Sequence, residues 1–220
     1  MGRNKLDKFK DNTLRDNIVE EGKSKYEIIK GKWAELQFRN GNPIVLELAC
    51  GKGDYTVGMA RQFPGMNFIG IDIKGSRIWT GSLIAEQEDL GNAAFLRTHI
   101  LKLEKFFKED EIHAIWITFP DPRPRQRDIR RRLTHPRYLN IYRKILCPSG
   151  WVYLKTDNLE FFRYTLDTIE EMNDVQDLEW TEDLYASGLD GDHHGLKTNY
   201  EKKFLEQGIT IKYLKFRFKK

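Results

Sequence analysis

The sequence predicts a doubly wound α/β fold, with a mostly parallel, seven-stranded sheet and an antiparallel C-terminal strand. Between residues 44 and 155, five short apolar runs alternate with segments of helical periodicity. The connections between them are short, as in sheets built from right-handed crossovers. Two later runs alternate apolar and polar residues, which is typical of antiparallel strands.

The length and composition indicate one soluble domain. The chain has 220 residues, of which 32% are charged, and its longest apolar runs have the length of a strand. The first residues lack the apolar core of a secretory signal. Cys50 and Cys147 have no His or Cys neighbours at metal-ligand spacing. We therefore expect a cytoplasmic protein, monomeric or homodimeric, with no metal and no membrane segment.

Residues 1–25 are polar and basic, with few apolar side chains. The net charge of the chain is only +4, but its basic residues concentrate in this segment, in residues 123–132 and at the C-terminus. We expect residues 1–25 to form an arm that is mobile without its anionic partner, or else an ordinary disordered terminus. Residues 26–220 then form a single domain.

The elements follow from periodicity and from the residues that interrupt it. Helical spacing of apolar residues predicts helices, and Gly, Asn or Pro follows most of them. Continuous apolar runs predict buried strands. The predicted helices of the parallel half span residues 26–38, 55–63, 76–90, 103–108 and 136–146. The predicted strands span residues 44–49, 68–71, 95–99, 114–119 and 151–155.

The C-terminal third departs from strict alternation. The predicted elements are a helix, a strand, a second helix and the terminal strand, at residues 159–172, 178–184, 198–207 and 209–218. The intervening loop, residues 185–197, is rich in glycine. It contains His193 and His194, and adjacent histidines between glycines are more typical of a flexible loop than of a metal site.

A glycine turn follows the first strand of the parallel half. Gly51 and Gly53 come shortly after the acidic residue Glu47, and a ligand can approach a glycine backbone closely. A dinucleotide-binding turn has a third glycine where this chain has Thr56, which disfavours a nicotinamide cofactor. Asp72 ends the next strand, so Glu47 and Asp72 suit a ligand with an amino group and ribose hydroxyls. For the glycines alone, an ordinary structural turn is the alternative.

Residues 115–133 combine a buried strand, an acidic turn and a basic segment. The strand ends at Pro120-Asp121-Pro122, where Asp121 is either a functional carboxylate or a turn residue. The arginines that follow would repel each other without a polyanion. Because arginine suits bidentate phosphate contacts, RNA is favoured over a merely solvated surface. The arginines are Arg123, Arg125, Arg127, Arg130, Arg131 and Arg132.

The glycine turn with its two acids resembles the class I S-adenosylmethionine-dependent methyltransferases, and four later blocks resemble one family among them. The blocks are Phe119-Pro120-Asp121-Pro122, the basic segment ending in Arg130-Arg131-Arg132-Leu133, Lys155-Thr156-Asp157-Asn158, and Thr198-Asn199-Tyr200-Glu201-Lys202-Lys203-Phe204. They are similar to those of the bacterial tRNA (guanine-N7)-methyltransferases. The resemblance implies S-adenosylmethionine as the cofactor and a guanine in the variable loop of tRNA as the target.

The resemblance also assigns roles to individual residues. Cofactor-binding roles fall on Glu47, Gly51, Gly53, Asp72, His99, Ile100 and Asp121, and Asp121 is also the expected catalytic residue. Substrate-binding roles fall on Arg125, Asp157, Thr198, Asn199, Tyr200 and Glu201. We expect Arg127, Arg130, Arg131 and Arg132 to bind the RNA backbone. For Asp157, a cap on the following helix is the alternative.

The chain departs from the family pattern at several positions. Ala49 replaces a common first glycine, Arg123 replaces a usual Trp, and Asp128 stands where His is frequent. At the end of the third strand of the parallel half, the family usually has an aspartate near the adenine. This chain has Thr98-His99-Ile100 there, and we expect the His99 side chain or the Ile100 backbone to make that contact.

The expected chemistry needs alignment more than a strong base. Guanine N7 carries an exposed lone pair, and methylation leaves a cationic ring. A fixed carboxylate such as Asp121 or Asp157 therefore favours the transition state over the neutral ground state. Two alternatives stay open: a methyltransferase with another small or protein substrate, and a non-catalytic RNA-binding protein of this fold. The arginines oppose the first, and the intact acidic set opposes the second.

Overall fold

One sheet runs through the centre of the protein, which is described by a computed structural model covering residues 4–189, 191 and 195–220. Its strands are β1 (Ile18–Val19), β2 (Ile44–Leu48), β3 (Asn67–Asp72), β4 (Ala93–Arg97), β5 (Ile112–Thr118), β6 (Leu146–Thr156), β7 (Val175–Thr181) and β8 (Lys212–Phe218). Within the described residues these eight strands have the order β1-β4-β3-β2-β5-β6-β8-β7.

The strand directions confirm the predicted sheet. The strands from β4 through β3, β2 and β5 to β6 are parallel, whereas β8 is antiparallel to both β6 and β7. The seven predicted strands are present, and β1 is an additional strand that pairs parallel with β4, with Ile18 opposite Phe95. A two-residue strand is too short to show a periodic pattern, so β1 could not be predicted from the sequence.

Helices cover both faces of the sheet. They are α1 (Lys5–Leu14), α2 (Ser24–Ile28), α3 (Asp54–Gln62), α4 (Gly75–Gln87), α5 (Pro136–Ile145), α6 (Leu159–Glu170) and α7 (Asn199–Glu206). Shorter 3₁₀ turns lie at Ile100–Lys105, Gln126–Arg131 and Leu184–Ala186, and a π-helix spans Trp33–Phe38. Val45 and Phe68 are buried on one face, and Leu46 and Ile69 on the other. No helix in the described ranges has the length and apolarity needed to cross a membrane.

Some predicted elements differ from the observed ones. The helix predicted at residues 26–38 is wrong, because α2 and the π-helix are separated by Gly31. Gly31 has a φ of 71°, a left-handed conformation that ends a right-handed helix. The helix predicted near 103–108 is the 3₁₀ turn at Ile100–Lys105. His193 and His194 lie outside the described residues.

The N-terminal segment contains the unpredicted helix α1, which packs on α4. The Asn12 side chain is buried and donates to the Gly75 carbonyl at 2.9 Å. Trp79 of α4 donates its indole N–H to Asp11 at 3.0 Å and lies 4.5 Å from the Lys8 ammonium. Polar and cation–π contacts, not an apolar face, hold α1 on α4. The sequence of α1 therefore shows no apolar stripe from which a helix could be predicted. That the arm is mobile without a partner stays a prediction.

Candidate active site

A cavity of about 670 Å³ opens at the carboxyl ends of β2, β3, β4 and β5. This is the edge at which parallel α/β sheets bind ligands, and the volume suits a small molecule. The predicted residues on its wall are Glu47, Gly51, Asp72, His99, Ile100, Asp121, Arg131, Thr198, Asn199 and Tyr200. The sheet therefore brings most of the predicted site together from distant parts of the chain.

Glu47 is the innermost acidic residue of the cavity. Its side chain accepts hydrogen bonds from the Thr56 amide at 2.8 Å and from the Thr118 hydroxyl at 2.7 Å. Burial raises the pKa of Glu47 to about 7, and these hydrogen bonds oppose part of that rise. A cationic group in the cavity would favour the ionised carboxylate, so Glu47 suits the ammonium of an amino acid.

Asp72 and the glycine turn form one wall. Asp72 is 7% exposed and accepts from the amides of Gly51 at 3.1 Å and Lys74 at 2.8 Å. Gly53 has a φ of 77°, and a Cβ there would lie 2.6 Å from the Phe95 ring. A side chain at position 53 would therefore push the turn out of place. The turn holds the Asp72 carboxylate at the cavity, where it can accept from ligand hydroxyls.

Left-handed backbone occurs just after two strands of the site. Ala49 follows β2 with a φ of 55°, and Phe119 follows β5 with a φ of 48°. Non-glycine residues rarely adopt this conformation, and such strain concentrates at functional sites. A glycine at position 49 would adopt this conformation without the strain.

Asp121 lies at the mouth of the cavity. Its side chain is 61% exposed and accepts from the Arg123 amide at 3.2 Å, with the Arg123 guanidinium 3.3 Å away. The acidic turn is therefore open to a large substrate, unlike the buried Glu47. Arg123, one of the six arginines for which the sequence favours RNA, also lines the cavity.

The end of β4 provides the opposite wall. His99 is exposed, and its Nδ1 accepts from the Leu101 amide at 3.2 Å, while Ile100 is 8% exposed. Next to them, the buried Thr98 hydroxyl has no hydrogen-bond partner among the described residues. Buried hydroxyls normally have a hydrogen-bond partner, and a polar group of a ligand in the cavity would supply one for Thr98. The wall therefore suits a ring that has apolar faces and polar edge atoms, such as a purine.

The segment that starts α7 is tied to the sheet and to the glycine turn. Thr198 and Glu201 form a capping box, and Glu201 is fully buried against the Lys155 ammonium at 2.6 Å. Asn199 donates its side-chain amide to Asp54 at 2.7 Å. Thr198, Asn199 and Tyr200 line the cavity, but Glu201 does not. The position of Glu201 indicates that it holds the segment in place.

The arginine segment, residues 123–132, separates into exposed and buried members. Arg125, Arg127, Arg130 and Arg131 are exposed, as expected of side chains that bind phosphates. Arg132 is 3% exposed, and it donates to Glu160 at 2.7 Å and to the Pro122 carbonyl at 3.1 Å. The expectation for Arg132 is corrected, since its guanidinium is occupied inside the protein and fixes the segment.

Asp157 does not lie at the cavity, where a substrate-binding residue was expected. Asp157 directly follows β6 but is not on the cavity wall, and the cap of α6 is Asn158. The capping alternative for Asp157 is therefore wrong. Five basic residues on the wall had no role predicted from the sequence, because they are scattered along the chain: Lys52, Lys74, Arg77, Arg137 and Lys203.

The fold and the site define a class of protein. The solved structure of the 16S rRNA methyltransferase KamB matches with a TM-score of 0.59 at 15% identity, over 93% of this chain and 99% of its own. A family model described as "Putative methyltransferase" matches residues 41–214. The chain is therefore a methyltransferase of the class I fold.

Relatives in sequence identify the family. The tRNA (guanine-N(7)-)-methyltransferase of Cytophaga hutchinsonii is 46% identical over 219 residues, which cover 99% of each chain. The protein of the same name from Bacteroides fragilis is 46% identical, over 98% of this chain and 86% of its own. The chain belongs to the tRNA (guanine-N(7)-)-methyltransferase family.

Proposed function

We propose that this protein transfers a methyl group from S-adenosylmethionine to N7 of a guanine in the variable loop of tRNA, in the cytoplasm. The observation that carries the proposal is the position of Asp121. This exposed carboxylate lies on the wall of the cavity that contains Glu47 and Asp72, just before the arginine segment. One carboxylate thus adjoins both a small-molecule site and a surface suited to RNA.

The residues of the cavity fit the cofactor. Glu47 suits the ammonium of its methionine part, Asp72 its ribose hydroxyls, and Thr98, His99 and Ile100 its adenine. When bound, S-adenosylmethionine supplies an electrophilic methyl group on a sulfonium. The unpaired Thr98 hydroxyl supports this fit, because a polar atom of the nucleoside would satisfy it.

Asp121 stabilises the charge that the reaction creates on the purine. N7 has a lone pair and no proton to lose, so the site needs no strong base. As the N7–carbon bond forms and the carbon–sulfur bond breaks, the purine changes from neutral to cationic. A carboxylate beside the ring attracts the cation more than the neutral base, which lowers the barrier.

The exposed arginines hold the RNA without reading its sequence. Guanidinium groups bind phosphates bidentately, and such contacts give affinity with little base identity. Arg131 is both exposed and on the cavity wall, so it extends the basic surface up to the site. Recognition then depends on the shape of tRNA and on delivery of one guanine into the cavity.

The proposal is tested by methylating tRNA transcripts with the purified protein and methyl-labelled S-adenosylmethionine. We expect one labelled N7-methylguanine per tRNA, in the variable loop. A transcript with 7-deazaguanine at that position lacks the accepting nitrogen and is the matched control. Labelling of the control, or methyl groups at other sites, would contradict the proposal.

A further inference from the structure

Tyr200 is a large aromatic residue that the protein leaves exposed at its cavity. Its side chain is 65% exposed and lies on the cavity wall. Within the described residues, its ring and hydroxyl have no stacking or hydrogen-bond partner. The other exposed aromatic of those residues, Trp180, lies on the edge strand β7 and packs on Phe162 at 6.1 Å. Tyr200 therefore presents its ring to whatever enters the cavity.

The backbone around Tyr200 is fixed on both sides. The preceding residue, Asn199, donates a hydrogen bond to Asp54 at the first turn of α3. The following residue, Glu201, is completely buried. It accepts hydrogen bonds from the Tyr185 hydroxyl at 2.6 Å and from the Lys155 ammonium. The backbone between these anchors is thus held in position at the cavity, while the ring itself does not pack on the core. Such pre-organisation lowers the entropy lost when a ligand binds.

We infer that Tyr200 is the platform on which the target guanine stacks, an inference that rests on the proposed function. A base delivered into the cavity leaves its neighbours in the RNA and loses their stacking. An exposed aromatic ring replaces that loss for any base, since every base has a π-face. Asp121 and Tyr200 both line this cavity, so a purine stacked on Tyr200 would lie in the cavity that the Asp121 carboxylate faces.

The ring also distinguishes the transition state from the substrate. The purine becomes cationic during methyl transfer, and an aromatic face attracts a cation more than a neutral ring. Stacking on Tyr200 therefore strengthens as the reaction proceeds, which accelerates the chemical step as well as binding. A leucine would keep an apolar side chain at this position without a π-face.

Three substitutions separate these contributions. Tyr200→Phe keeps the face and removes the hydroxyl, Tyr200→Trp enlarges the face, and Tyr200→Leu removes it. We expect single-turnover rates at saturating tRNA within about threefold of wild type for the first two. For Tyr200→Leu, we expect kcat/KM to fall by about tenfold to a hundredfold, the range that base–aromatic stacking covers. Affinity for S-adenosylhomocysteine and the Tm report intact folding.

Trp180→Leu is the matched control, since it removes an exposed aromatic away from the cavity, and we expect unchanged kcat/KM. Equal losses in Tyr200→Phe and Tyr200→Leu would assign the effect to the hydroxyl and overturn the inference. Wild-type rates in Tyr200→Leu would overturn it too. Wild-type protein that fails to methylate tRNA at guanine N7 would instead overturn the proposed function, so the two failures differ.

A fluorescent base gives an independent readout. With 2-aminopurine in place of the target guanine, an unstacked base emits strongly and a base stacked on Tyr200 is quenched. We expect brighter emission from the complex with Tyr200→Leu than from those with wild type or Tyr200→Phe. Identical emission from all three complexes would show that the ring does not touch the base and would overturn the inference.

Discussion

Glu47 connects the pH dependence of stability to cofactor binding at the scale of one residue. Its pKa rises from 4.5 to about 7 in the folded protein because the carboxyl group is buried. The folded state therefore binds more protons than the unfolded state between these pH values. Its contribution to the free energy of unfolding falls as pH rises through that window, by roughly 3 kcal/mol in all.

Glu47→Gln should remove this dependence. We expect the free energy of unfolding of wild type to fall more steeply between pH 5 and pH 8 than that of the variant, measured by urea unfolding. The variant should also lose affinity for S-adenosylmethionine at pH 8, because the ammonium loses its carboxylate. The exposed Glu109→Gln is the control. Parallel stability profiles for wild type and Glu47→Gln would contradict the burial argument.

The charge-stabilising role that we propose for Asp121 predicts a larger effect on turnover than on binding. We expect Asp121→Ala and Asp121→Asn to lower kcat by about 100-fold to 1000-fold, the range for loss of one preorganised electrostatic group. Because phosphate contacts generally supply a large share of the affinity of a protein for nucleic acid, the Kd for tRNA should change little. Single-turnover methylation and filter binding measure the two quantities. Near-normal turnover in Asp121→Asn would show that the reaction does not need the negative charge of the carboxylate.

At the scale of elements, the arginine segment combines exposed arginines, which we propose bind RNA, with one arginine buried inside the protein. The 3₁₀ turn Gln126–Arg131 exposes Arg127, Arg130 and Arg131. The following residue, Arg132, turns inward onto Glu160 and lies 4.5 Å from the Tyr164 ring. Neighbouring arginines of one run therefore have different roles, which follow from burial alone.

Substitutions in the segment should separate these roles. Arg130→Ala should leave the Tm unchanged and lower the slope of log Kd against log salt by about 1 per lost phosphate contact. Arg132→Ala should lower the free energy of unfolding by about 1–3 kcal/mol, since it removes the hydrogen bonds from this buried guanidinium to the Pro122 carbonyl and to Glu160. Salt titration and urea unfolding are the measurements. If Arg132→Ala changed the salt slope and left the stability unchanged, Arg132 would bind RNA instead of stabilising the segment.

At the scale of the whole molecule, the site depends on contacts between distant parts of the chain. Asn199 binds Asp54 across 145 positions of sequence, and Lys155 binds Glu201 across 46. These contacts join α7 to the glycine turn and to the central sheet. Burial lowers the pKa of Lys155, and the Glu201 carboxylate opposes that change.

Breaking the buried pair should loosen the cavity wall. We expect Glu201→Ala to lower the free energy of unfolding by about 3–5 kcal/mol, because it leaves the Lys155 ammonium buried and unpaired. The double variant Lys155→Met/Glu201→Leu should recover part of that loss. The kcat/KM for tRNA should fall in both, since Tyr200 loses its anchor. A cost below about 1 kcal/mol in Glu201→Ala would show that the pair does not hold α7.

The sequence by itself determined the order of elements, the class of fold and the acidic set. Apolar periodicity and the glycine turn are local patterns, so the strands and the positions of Glu47, Asp72 and Asp121 at strand ends could be predicted from them. The blocks around Asp121 and Thr198 indicated the family, and the comparisons with known proteins confirmed it.

Only the tertiary structure decided which of these side chains face the cavity. The burial of Arg132 and Glu201, the position of Asp157 outside the wall and the docking of α1 depend on residues far away in sequence. The same holds for Lys52, Lys74 and Arg137, which converge from separate elements. Burial and ion pairing are set by long-range packing, and no local pattern encodes the partner that a charged side chain will meet.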